Sequence, residues 1–113
     1  MTLTGTAYLT HYGSQWNGVV HFVSPRHYLR SSVFNGDAYL EKSGGFNDYS
    51  FGGCIFNGVT TMHNSSNARF IGSNNSANDF NGHVTYRQSG NGSLYPAYNR
   101  PCTYAGDINI DFI

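Results

Sequence analysis

The sequence predicts an all-β chain wound as a right-handed parallel β-helix, a solenoid of about four to five coils, and three observations lead there. An aromatic-Asn-Gly phrase recurs as Trp16-Asn17-Gly18, Phe34-Asn35-Gly36, Phe56-Asn57-Gly58 and Phe80-Asn81-Gly82, with a looser copy at Tyr104-Ala105-Gly106. Successive glycines lie 18, 22, 24 and 24 residues apart, a period typical of solenoids and arrays. The residues around each glycine alternate in character with period two, as a strand with one buried face requires.

The first element is the least regular. Thr4-Gly5-Thr6-Ala7-Tyr8-Leu9 has the look of another copy, but it stands only thirteen residues ahead of Gly18. That is too short for a full coil, so a strand covering the end is expected there. The repeats proper then run near 16–33, 34–55, 56–79, 80–103 and 104–113, all within one domain or segment, 1–113. Two residues before each glycine stands Trp16, Phe34, Phe56, Phe80 or Tyr104; two after stands Val20, Ala38, Thr60, Val84 or Ile108; four after stands Phe22, Leu40, Met62, Tyr86 or Ile110. This set is the predicted core. The asparagines, then Val19, Asp37, Val59, His83 and Asp107, then His21, Tyr39, Thr61, Thr85 and Asn109, form the opposite, mostly polar face.

A second apolar beat falls between the phrases, at Tyr49-Ser50-Phe51, Arg69-Phe70-Ile71 and Ser93-Leu94-Tyr95, so each repeat supplies at least two short strands. From Arg26 to Phe34 the apolar periodicity is too weak for a helix, and Pro25 precedes it. A coil per repeat accounts for the steady period and the in-register core positions, because parallel stacking places equivalent side chains about 4.8 Å apart. Turn signals at intervals of about 8 to 12 residues also fit an antiparallel β-sandwich, which stays open as the alternative. Ile108 and Ile110 open a new coil just before residue 113, so the chain reads as a segment continuing into further solenoid coils or packing against them.

Composition narrows the function classes. Six Lys and Arg balance six Asp and Glu and are scattered, which leaves no electrostatic footprint for nucleic acid or an anionic membrane. No stretch approaches the roughly 20 apolar residues of a membrane span, so no membrane insertion is expected. Gly, Asn and Ser make up about a third of the chain beside abundant Tyr and Phe, a pairing that favours many short strands over disorder. Cys54 and Cys102 both stand four residues before a repeat glycine, with Asn78 at that position between them. Two coils of separation, about 9 to 10 Å, exceed what a disulfide accepts, so two free and largely buried thiols are expected.

The run from Phe80-Asn81-Gly82-His83-Val84-Thr85-Tyr86 through Ser89-Gly90-Asn91-Gly92-Ser93-Leu94-Tyr95 to Tyr104-Ala105-Gly106-Asp107-Ile108 resembles the Phe-Asn-Gly repeats of very large secreted bacterial cell-surface proteins. The resemblance covers residues 16–113 and is best from 56 onward. It implies an extended adhesin or matrix component, extracellular or at the cell surface, with no enzymatic residues to carry over. Trp16, Ala105 and the eighteen-residue first repeat depart from the pattern.

Candidate chemistry concentrates five residues after each glycine, where Glu41, His63, Arg87 and Asp111 follow one another. Such a ladder, with Tyr39 beside it, offers a glycan or another cell-surface ligand a set of hydrogen-bonding partners. The alternative is a solvated face whose charges pair weakly, at about 0 to 1 kcal/mol per pair. Glu41 and Asp111 would stand roughly 14 Å apart, too far for either geometry of glycoside hydrolysis, so no catalytic residues are assigned. His11, His21, His27, His63 and His83 lack paired metal-ligand spacing and read as surface or turn residues. Asp48 and Asp79 read as turn residues bonded to their own backbone, and no cofactor is implied. The sequence therefore points to a non-catalytic structural or adhesive module. The alternatives are a trimeric phage-like fibre or receptor-binding domain and a β-helical polysaccharide-degrading enzyme.

Overall fold

Each aromatic-Asn-Gly phrase starts a coil. The computed structural model describes residues 1–48 and 50–113. Its fourteen strands in chain order are β1 (Leu9–Tyr12), β2 (Gln15–Trp16), β3 (Val20–Ser24), β4 (His27–Arg30), β5 (Val33–Phe34), β6 (Ala38–Lys42), β7 (Ile55–Phe56), β8 (Thr60–Asn64), β9 (Arg69–Ile71), β10 (Asp79–Phe80), β11 (Val84–Gln88), β12 (Ser93–Tyr95), β13 (Thr103–Tyr104) and β14 (Ile108–Phe112). No helix occurs among the described residues.

All strand pairs are parallel, which removes the antiparallel sandwich. β2, β5, β7, β10 and β13 form one five-stranded side, and β3, β6, β8, β11 and β14 form a second. The fold is thus a β-solenoid of about five turns. The repeats align without slippage: Trp16, Phe34, Phe56, Phe80 and Tyr104 are successive partners, as are Val20, Ala38, Thr60, Val84 and Ile108.

Register converts sequence identity into stacked columns. Phe34 lies flat on Phe56 with ring centroids 4.8 Å apart, Phe56 on Phe80 at 4.8 Å, and Phe80 on Tyr104 at 5.3 Å. Beside this aromatic stack, Asn35 Nδ2 donates to Asn17 Oδ1 at 2.8 Å, Asn57 to Asn35 at 2.8 Å and Asn81 to Asn57 at 2.7 Å. Ala105 takes the next position and ends this ladder. The glycines are required by crowding. A Cβ on Gly36 would lie 2.5 Å from the carbonyl oxygen of Gly18, and one on Gly58 2.6 Å from that of Gly36. Gly18, in the first coil, has open space.

The third side is built differently in the two halves. β1 pairs with β4, and β9 with β12; between them lies the second apolar beat, of which Tyr49 is outside the described residues. Ser50 and Phe51 form no strand there. Side chains bridge the break. Asp48 accepts the backbone N–H of His27 through Oδ2 at 3.0 Å and that of Ile71 through Oδ1 at 3.2 Å. Ser50 Oγ accepts from Leu29 N, and Asn47 Oδ1 from Arg69 N. Asp48 therefore joins neighbouring coils, in addition to the bond with its own backbone that the sequence predicts. Lys42 Nζ sits 3.9 Å from Asp48 Oδ2, both side chains fully buried, and donates to the carbonyls of Pro25, Gly44 and Phe46.

Lys42 exemplifies a polar column on the inward face, which continues the alternation one step beyond the apolar core positions. Six residues after each glycine the chain turns inward again at Ser24, Lys42, Asn64 and Gln88. Each donates to the corner that follows: Ser24 Oγ to Arg26 O, Asn64 Nδ2 to Ala68 O, Gln88 Nε2 to Gly90 O. Buried corner carbonyls need partners, and this column supplies them.

Two expectations change. Met1 to Leu3 lie along β3, with Leu3 N donating to Val23 O and Val23 N to Met1 O. The Thr4–Leu9 copy instead forms a turn with Gly5 at φ 72° that leads into β1. His11 and His27 are not surface residues. His11 packs among Phe22, Phe34 and Trp16, 5.2 Å from the Phe22 ring, and both its ring nitrogens lack a partner. Burial lowers both imidazoles to about 4. At the opposite end the interior opens as a cavity of about 360 Å³ lined by Tyr86, Leu94, Pro96, Ile110 and Phe112 among others.

Gly58→Ala is expected to lower the thermal unfolding midpoint by many degrees and Gly18→Ala to leave it nearly unchanged, as read by circular dichroism. Equal effects would contradict the close approach of the coils. Acid should also weaken the fold. His11 and His27 stay neutral when folded but take up protons near pH 6.5 when unfolded, so their contribution is complete above about 6.5 and is lost as pH falls toward about 4. Burial raises Asp48 to about 6 and gives the opposite sign below that pH, offsetting part of the loss. His11→Phe should flatten the fall in unfolding midpoint between pH 7 and 5.5; an unchanged slope would reject the buried neutral imidazole.

Candidate functional site

The column predicted five residues after each glycine exists as drawn: Glu41, His63, Arg87 and Asp111 are successive partners on β6, β8, β11 and β14, with Val23 on β3 beneath them. It does not behave as one ligand-binding row. Arg87 Nε donates to Asp111 Oδ2 at 3.0 Å, and these two half-exposed side chains form a pair of their own. Glu41 and His63 join Tyr39 in a second, more buried group. His63 is only 9% exposed, so the solvated-face expectation fails at this coil.

Tyr39 stands between acid and imidazole. Its hydroxyl donates to Glu41 Oε2 at 2.8 Å and lies 2.7 Å from His63 Nδ1, while Nδ1 is 3.5 Å from Glu41 Oε2. Two serines complete the group: Ser65 Oγ donates to Glu41 Oε1 at 2.6 Å, and Ser89 Oγ lies 2.6 Å from His63 Nε2. The sequence reading nominated neither serine. A signal was there, because Ser43, Ser65 and Ser89 all stand seven residues after a repeat glycine. Their backbone N–H groups donate to Ser24, Lys42 and Asn64 carbonyls one coil below, so the same ladder that aligns the strands fixes these hydroxyls at the rim.

The electrostatics favour one protonation state. Burial opposes ionisation of Glu41, but hydrogen bonds from Ser65 and Tyr39, with the nearby His63, hold its carboxyl below the usual range. Burial and the bond to Glu41 push the Tyr39 phenol up to about 12. Burial also lowers His63, against the pull of Glu41. At neutral pH the group is therefore a carboxylate, a phenol and a neutral imidazole.

No family model, curated protein or solved structure matches the chain. What can be said of function rests on residues and geometry. Among the described residues no group of three or more His, Cys, Asp or Glu is arranged to hold a metal ion. Beside the site, Val19, His21, Asp37, Tyr39, Val59 and Thr61 line a shallow outer groove, with the His21 and Tyr39 rings stacked at 4.4 Å.

The cysteine column also has its expected register. The backbone N–H of Cys54 donates to Oδ1 of Asn78, which stands between the two cysteines, at 3.0 Å, and both thiols are free. Cys54 is buried, and burial pushes its thiol up to about 11. Cys102 is only half-buried, less covered than the sequence implied. Ellman's reagent should therefore titrate Cys102 in the native chain about tenfold faster than Cys54, with both reacting once unfolded. A denatured chain lacking free thiols would overturn the register.

Proposed function

We propose that the chain is a structural or adhesive module of an extracellular bacterial repeat protein, a stack of coils that serves as a spacer and presents ligand-binding side chains on its outer face. The observation that carries this reading is the last coil. β14 is hydrogen-bonded on one side only, to β11, and its inward positions Ile108, Ile110 and Phe112 are 49%, 66% and 79% exposed. Equivalent positions in the preceding coils are buried, apart from the half-buried Gln88 next to the open end, so one more coil in the same register would cover the apolar face and the free strand edge together. The fitting partner is therefore a further Phe-Asn-Gly coil. A secreted, cell-surface setting follows from the resemblance of the repeats.

The outer groove beside Tyr39 fits the adhesive half of the proposal. Stacked His21 and Tyr39 rings next to Asp37 pair a flat apolar edge with a hydrogen-bond acceptor, the combination a sugar ring needs. A β-helical polysaccharide-degrading enzyme is supported less well, because Glu41 and Asp111 are three coils apart, roughly 14 Å at ordinary strand spacing. The fibre alternative requires an intertwined trimer to cover the open end.

Duplicating residues 80–103 after residue 103 tests the proposal. The longer chain is expected to sediment as a monomer, to lengthen by about 4.8 Å along the stack and to melt at a higher temperature. A trimer of fixed stoichiometry in either chain would turn the assignment to a fibre, and a lower melting temperature would sink the spacer.

A further inference from the structure

Independently of any modular role, the group around Tyr39 has a directionality that hydrogen-bond accounting fixes. An ionised carboxylate only accepts, so Tyr39 must use its single proton on Glu41, as the 2.8 Å bond shows. The hydroxyl then accepts from His63, 2.7 Å away, which requires the proton of the neutral ring to be on Nδ1. Nε2 is left with a lone pair, and its 2.6 Å neighbour is Ser89 Oγ, which must donate. The chain of bonds runs from Ser89 to His63 to Tyr39 to Glu41.

That is the arrangement an activated serine needs: a base whose free nitrogen faces the hydroxyl, and a carboxylate that fixes the tautomer from behind. The parts are held rigidly. His63 lies on β8, and Ser89 follows β11 with its own N–H and that of Gly90 donating to Asn64 O, next to His63 in sequence. Ser89 itself is exposed, so a reagent can reach it. We propose that Ser89 is a nucleophilic acyl-acceptor site, with His63 as its general base and with Tyr39 and Glu41 as positioning residues.

The chemistry balances with an activated ester as donor. Ser89 Oγ forms a bond to the acyl carbon while its proton passes to His63 Nε2. The bond from carbon to the leaving oxygen then breaks, and that oxygen takes the proton from Nε2 and departs as an alcohol. The transient imidazolium is stabilised through its Nδ1–H by Tyr39 and Glu41. Ser89 is left as an ester, which water hydrolyses slowly. Water oxygen bonds to the acyl carbon as its proton passes to His63 Nε2; the bond from carbon to Ser89 Oγ breaks, Oγ takes that proton, and a carboxylic acid leaves. The Ser89 and Gly90 N–H groups are already bonded to Asn64 O, which removes the usual backbone donors for a developing oxyanion in both steps, so only the good leaving group of an activated donor makes acylation the faster one. Arg87, in register with His63, is the cation on the adjoining coil. Small activated acyl donors are thus the class expected to react, with acylation outrunning turnover.

The test uses the whole chain with p-nitrophenyl acetate and, separately, an alkyl fluorophosphonate, read by intact mass and peptide mapping. One adduct is expected, on Ser89, absent in Ser89→Ala, slowed about a hundredfold in His63→Gln and reduced to the background of free serine in unfolding urea. Tyr39→Phe should slow labelling while retaining the native circular dichroism. Long-range proton–nitrogen NMR should show His63 as the Nδ1–H tautomer in the native chain and as a mixture in Tyr39→Phe. Adducts spread over other serines, a Ser89 rate the same in folded and unfolded chain, or an Nε2–H tautomer in the native chain would each overturn the proposal.

Discussion

Parallel stacking of coils in one register is the constraint on which every other feature depends. At a strand spacing near 4.8 Å, each residue sees the residue at the same place in the next coil before it sees anything else. Flat aromatic rings, amides and bare glycine backbone all stack at this spacing. The Phe34, Phe56 and Phe80 rings, the Asn17 to Asn81 amide ladder and the Gly18 to Gly106 column are three uses of one spacing. The interdependence is close, since a side chain at Gly36, Gly58 or Gly82 would push apart the rings as well as the backbones.

The corners follow a different logic. A strand leaving the sheet turns its carbonyls toward the interior, where water does not reach them, and polar side chains must serve in its place. Ser24, Lys42, Asn64 and Gln88 do this in successive coils, each in its own way. Lys42 is the extreme case, an ammonium fully enclosed by three carbonyls and facing Asp48. Truncating either partner would leave the other charge buried and unpaired, the costliest kind of local defect.

This division explains what could be read from the sequence. Positions within strands were legible because alternation and the fixed distance from glycine act together, so Phe22, Leu40 and Met62 are core residues as expected. The column of Glu41, His63, Arg87 and Asp111 was legible as a register but not as a site, because its chemistry depends on what stands two residues earlier and on the neighbouring coil. Tyr39 divides it, and Ser65 and Ser89 enter from the corner. His11, His27 and Asp48 lie where coils of different length meet, and no period reports on such places. The serines were within reach, since their constant distance from glycine is as regular as that of the aromatics.

Coil length varies from 18 to 24 residues, yet two of the three sides keep their register throughout. All variation in perimeter is absorbed on the third side, where strand pairing gives way to Asn47, Asp48 and Ser50. The molecule is therefore built like a ladder bolted along two rails, with the third left adjustable. Lengthening or shortening a coil on that side leaves the aromatic stack and the amide ladder undisturbed. A lineage of such repeats can diversify one surface while its axial geometry stays fixed.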